Sequence, residues 1–138
     1  MKHALTVLYF WICSASFGQA LPMLTDLGEL RWQHRILVIN EPDHPAELLE
    51  LLTENAGALD ERKLAWFVIV AGDLRSNYGG DLHTELLGNI NRRLGITPQE
   101  SVLIGLDGGV KARGQDVDLE ALYGLIDAMP MRRLEKRS

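Results

Sequence analysis

Two stretches are apolar without interruption and carry no alternation. They are Arg35-Ile36-Leu37-Val38-Ile39-Asn40 and Leu64-Ala65-Trp66-Phe67-Val68-Ile69-Val70-Ala71. A continuous run of this length, ended by polar residues or glycine, predicts a strand covered on both faces. Between them, Pro45 suits a first helical turn because its missing N–H would have had no partner there. Leu48, Leu51 and Leu52 then fall on one helical face opposite Glu47, Glu50 and Glu54, with Gly57 as the expected end. Two buried strands joined through a helix predict a parallel β-α-β unit with a right-handed crossover.

The pattern continues in the same style. A polar loop over 72–81 leads to Asp81, read as the cap of a helix with Leu86, Leu87, Ile90 and Leu94 inward and Gly95 at its end. Val102–Leu106 and Val110–Arg113 flank Asp107-Gly108-Gly109, and Asp-Gly between two short β segments is a strong hairpin signal. Leu119, Leu122, Tyr123 and Ile126 repeat at helical spacing after Asp116 or Asp118, either of which can cap, and Pro130 is read as the stop. Trp32 and Trp66 are expected in or near the core, and Met129 and Met131 as packing residues around Pro130.

The resulting expectation is an α/β fold: a β-α-β-α-β-β-α sandwich on a mixed four-stranded sheet, in a single domain over 21–138 with its core at about 30–135. The first twenty residues are set apart. Lys2 and His3 precede a mostly apolar run from Ala4 to Ala15, and Gly18 and Ala20 supply small residues before a cut at Leu21, which is the three-part pattern of a signal peptide. The run is short of the ~20 apolar residues that a spanning helix needs. A periplasmic or secreted protein with no stable membrane span after cleavage is therefore expected.

Charge and cysteine content narrow the chemistry. Without 1–20 the chain keeps 13 Lys and Arg against 19 Asp and Glu, a net charge of −6, which opposes nucleic-acid binding. The only cysteine, Cys13, leaves with the leader, so residues 21–138 hold no thiol nucleophile, disulfide or thiolate metal ligand.

In open α/β sheets ligands gather beyond the carboxyl ends of parallel strands, here the loop 40–44 and the loop 72–81. Asn40, Glu41, Asp43 and His44 are thus candidate ligand or partner contacts. A metal built from Asp43, His44, Asp81 and His83 matches no ligand spacing and is outweighed by plain solvated turns. At the other terminus Arg132 and Arg133 are candidate grips for an anion, or partners for Glu29, Glu61 or Asp127, whereas Lys136 and Arg137 read as charges favouring a helix end.

Certain stretches carry a resemblance. Leu103-Ile104-Gly105-Leu106-Asp107-Gly108-Gly109-Val110-Lys111 and Ile126-Asp127-Ala128-Met129-Pro130-Met131-Arg132-Arg133, with Arg31-Trp32 and Glu61-Arg62, resemble the domain-of-unknown-function 4174 family over roughly 30–135. That resemblance implies an exported bacterial protein on a thioredoxin-like, peroxiredoxin-like scaffold with no established reaction, so no catalytic residue, cofactor or metal ligand carries over. Redox members of such a fold hold the thiol between the first strand and its helix, and here that segment is Asn40-Glu41-Pro42-Asp43-His44-Pro45. The expected function is a non-catalytic binding or interaction module of the cell envelope, with an envelope protein as the partner class. The alternative is a non-thiol enzyme or antioxidant-related protein using loop 40–44.

Overall fold

The computed structural model describes residues 21–137. The signal peptide expected over 1–20, with its cut after Ala20, lies outside the described residues. The architecture is a mixed α/β sandwich on a five-stranded sheet of order β3-β2-β1-β4-β5. Its strands are β1 (Arg35–Asn40), β2 (Leu64–Val70), β3 (Asp73–Ser76), β4 (Glu100–Ile104) and β5 (Val110–Gln115). The helices are α1 (Pro45–Glu54), α2 (Ala56–Glu61), α3 (Leu86–Leu94), α4 (Leu119–Asp127) and α5 (Pro130–Arg137), and a 3-10 turn (Leu27–Leu30) precedes β1.

The apolar runs are the central strands. β1 lies parallel to β2 from Arg35↔Leu64 to Asn40↔Ile69 and antiparallel to β4 from Ile36↔Ile104 to Ile39↔Ser101. Because side chains alternate along a strand, Ile36 and Val38 enter one core with Leu24, Leu27, Leu86 and Ile90, while Leu37 and Ile39 enter a second with Leu48, Leu52, Leu122 and Ile126. Covering both faces is what made these runs apolar throughout.

Several expectations need correction. The sheet has five strands rather than four, since β3 lies in the stretch read as a polar loop. β3 pairs with β2 from Phe67↔Ser76 to Val70↔Asp73 through a two-residue turn in which Ala71 (φ 47) and Gly72 (φ 81) are both left-handed. Ala-Gly is a weak signal for such a turn, and an edge strand needs no apolar run, so the sequence hid it.

Asp81 caps no helix. Its carbonyl accepts from Leu24 N–H (2.8 Å) and His83 N–H donates to the Leu24 carbonyl (2.9 Å), so α3 starts later, at Leu86. Glu85 N–H there donates to His83 Nδ1 at 3.0 Å. The first helix breaks at Asn55 and resumes through Gly57 rather than ending there.

Asp118 does cap α4, accepting from Ala121 N–H at 3.1 Å. Pro130 does not close the chain's helical part but opens α5, the same role that Pro45 plays in α1. Trp66 is buried and Met129 packs on the second core, but Trp32 is 64% exposed.

Candidate functional site

At the carboxyl end of β1 the two predicted acidic side chains bond to the backbone and to Gln99. Glu41 Oε2 accepts from Asp43 N–H at 3.2 Å, and Asp43 Oδ2 accepts from Gln99 Nε2. The Asn40 carbonyl accepts from Gln99 N–H at 2.7 Å. His44 stands at the N-cap of α1 with no side-chain capping bond. Glu41, His44, Glu47, Gln99 and Asp116 line an open cleft of about 280 Å³ floored by Ile39, Leu48 and Val117.

Asp81 and His83 are elsewhere. They flank Leu24 on the first core, whereas α1 packs on the second. Among the described residues no group of three or more His, Asp or Glu side chains is placed to hold a metal. No helix among them is long and apolar enough to cross a membrane.

The C-terminal arginines divide. Arg133 is exposed, but Arg132 is 3% exposed and lies inside an ion-pair network. Its Nε donates to Asp127 Oδ1 (3.1 Å), Nη2 to Glu61 Oε1 (3.0 Å) and Nη1 to the Glu61 carbonyl (3.0 Å). Glu61 and Asp127 are two of the partners the sequence offered.

The network runs on through Arg62, which donates to both Asp127 oxygens (3.2 and 2.9 Å) and sits 4.2 Å over the Tyr123 ring. It ends at Arg35, 1% exposed, which forks onto Glu135 at 3.2 and 3.3 Å. Three arginines thus face Glu61, Asp127 and Glu135, so the charges cancel and each guanidinium has a carboxylate partner, although Arg35 Nε is buried without a hydrogen-bond partner.

Hydrogen bonds from Arg62, then from Arg132, hold the Asp127 carboxyl below the usual range. Burial opposes the charge on Arg132, but Asp127 and Glu61 outweigh it and raise its pKa. The Met-Pro-Met-Arg-Arg segment therefore closes the fold, with Arg132 spent on structure.

A deeper cavity, about 380 Å³, opens at the opposite, amino end of the parallel strands. Its polar lining is Glu29, Gln33, His34, Asp60, Lys63 and Asn77. The Asn77 side chain is committed, extending the β2 ladder through Trp66 N–H (2.8 Å) and the Leu64 carbonyl (3.2 Å). Tyr78 OH donates to the Pro22 carbonyl at 2.6 Å and ties the N-terminal segment across one wall.

His34 Nδ1 is buried without a partner. Burial first, then the Lys63 charge, lowers the imidazole pKa against the opposing pull of Asp60. Neutral imidazole, one ammonium and two carboxylates around a half-apolar hollow can hold a small polar molecule. Sequence reasoning missed this cavity because its walls come from four separated segments, none with a motif.

Comparison with curated proteins finds no match, and comparison with solved structures finds none either. One family model does match, over residues 26–135, which takes in both core clusters, the β4–β5 hairpin and the arginine network. The chain therefore belongs to the family described as Domain of unknown function (DUF4174).

Proposed function

We propose that this protein is an exported, thioredoxin-like module that binds rather than catalyses. The observation that carries the reading is the β1–α1 junction. On a thioredoxin-like scaffold the redox thiol would belong to this segment, which reads Asn40-Glu41-Pro42-Asp43-His44-Pro45 and whose acidic side chains bond to the Asp43 backbone and to Gln99. Residues 21–138 contain no cysteine, so no pKa shift or helix dipole can generate a thiolate there. The element order with β3 set aside, β-α-β-α-β-β and then helix, supports the scaffold assignment. A fold alone confers no chemistry, and the binding reading rests on the thiol-free junction rather than on the scaffold.

The test uses protein recovered from the cell envelope alongside the full chain bearing Cys13→Ser. Peroxide consumption with a dithiol reductant and insulin disulfide reduction are each compared with a heat-unfolded control. No turnover above control is expected. Multiple turnovers from the Cys13→Ser chain would overturn the reading and point to the cleft at Glu41 and His44, the side chains that a non-thiol enzyme at this loop face would use.

A further inference from the structure

The turn that leads into β1 is strained, and the residue that carries the strain is mostly exposed. Arg31 (φ −53, ψ 136) and Trp32 (φ 69) are the central residues of a type II β-turn, closed by Gln33 N–H on the Leu30 carbonyl at 3.0 Å. The second central position requires positive φ and normally takes glycine or asparagine; a bulky L residue there costs roughly 1–2 kcal/mol. Trp32 is 64% exposed, so most of its surface gains nothing from burial. Its backbone N–H donates to the Leu106 carbonyl at 2.7 Å, a bond that glycine or asparagine would make equally well. A large aromatic held in a strained, solvent-facing position has its useful contacts outside this chain.

Two guanidinium groups converge at Gly108, two residues from the Leu106 carbonyl that Trp32 N–H bonds. Arg31 Nε and Nη2 lie 2.7 and 3.0 Å from where a Cβ on Gly108 would stand, and Arg93 Nη2 donates to the Gly108 carbonyl at 2.8 Å. Arg31 and Arg93 are both exposed, and neither forms an ion pair among the described residues, unlike Arg35, Arg62, Arg113 and Arg132. Of the neighbouring acids, Asp107 holds Lys111 Nζ and Gly109 N–H, each at 2.9 Å, while Asp26 accepts from Gly28 N–H and lies near Arg93 at Gly28 without forming an ion pair with it.

We propose that Arg31, Trp32 and Arg93 form a docking surface for a short acidic peptide segment of a partner protein. The guanidinium groups take its carboxylates, for which their planar forks are suited, and the indole covers its backbone. Charge decides for a short segment over an extended polyanion. DNA or an anionic bilayer would meet the field of the whole chain, which is net negative, whereas a few carboxylates within a Debye length of ~8–10 Å meet mainly the local cations. This deepens the binding-module reading and rests on it.

The experiment titrates the protein recovered from the cell envelope with a tryptophan-free hexaglutamate peptide and follows indole emission. Phosphatidylglycerol vesicles and inorganic phosphate serve as parallel probes. A saturable emission change that weakens with added salt is expected for the peptide, and none for the vesicles or phosphate. Trp32→Asn should leave Tm unchanged or higher, because asparagine accepts the turn conformation, and should weaken peptide binding, read for this variant by calorimetry, about tenfold or more. Arg31→Gln and Arg93→Gln should each weaken it and flatten its salt dependence.

Equal affinity in Trp32→Asn, no saturable peptide binding, or binding of vesicles or phosphate instead of peptide would overturn the proposal. Any of these leaves the binding-module reading standing, since the peroxide and insulin assays judge that separately.

Discussion

The arginine network makes its sharpest prediction at Asp127, the carboxylate shared by Arg62 and Arg132. Asp127→Asn keeps the shape and removes the charge, leaving Arg62 with the Ala58 carbonyl (2.9 Å) and the Tyr123 ring, and Arg132 with Glu61 and Glu135. Removing one member of a fully buried pair costs about 3–5 kcal/mol. Asp127 is 28% exposed and its partners keep other bonds, so screening and substitution reduce this to about 2 kcal/mol. For a domain of this length that is a fall in Tm of roughly 6–12 °C.

Glu61→Gln is the control. Glu61 is 63% exposed, so its loss should cost no more than about 1 kcal/mol. The pH dependence follows from the depressed Asp127 pKa. Above the unfolded value of about 3.9 its stabilisation is complete; as pH falls through that value the unfolded chain takes up the proton first, and the contribution is gone below the folded pKa. The Tm difference between wild type and Asp127→Asn, measured by circular dichroism, should therefore narrow in acid. A difference that stays constant into acid, or an Asp127→Asn Tm no lower than that of Glu61→Gln, would refute the shared-carboxylate account.

Other outcomes follow from the same structure. Gly108→Ala should lower stability by roughly 1 kcal/mol or more, since its φ of 85 is left-handed and a Cβ would meet Arg31, while Gly109→Ala should be nearly neutral in the same denaturant titration. His34 has a lowered pKa, so the stability it confers is complete above its unfolded value near 6.5 and is lost as pH falls through the folded one; His34→Gln should reduce the drop in unfolding free energy between about pH 7 and pH 5. Mass spectrometry of protein from the periplasmic fraction should find Leu21 at the N-terminus, and recovery of only the full-length cytoplasmic chain would refute export.

The sequence by itself determined the centre of the fold. Strands buried on both faces must be apolar at every position, so β1 and β2 were visible, as were the hairpin at Asp107-Gly108 and a cap for α4 at Asp116 or Asp118, between which the structure selects Asp118. It determined the lack of a thiol over residues 21–138 just as firmly, because that is composition.

What only the tertiary structure decided depends on distant neighbours. β3 has neither an apolar run nor a strong turn pair, and only its ladder to β2 makes it a strand. Arg132 looks like one of several tail cations until α5 folds back and brings it to Glu61 and Asp127. Trp32 reads as core by its size, yet the turn that starts β1 points it at solvent. The amino-end cavity and the Arg31–Arg93 convergence join residues far apart in sequence, so no local spacing could signal them. Local periodicity reports what each segment must bury, and which charges and rings then meet is set by how the sheet orders those segments in space.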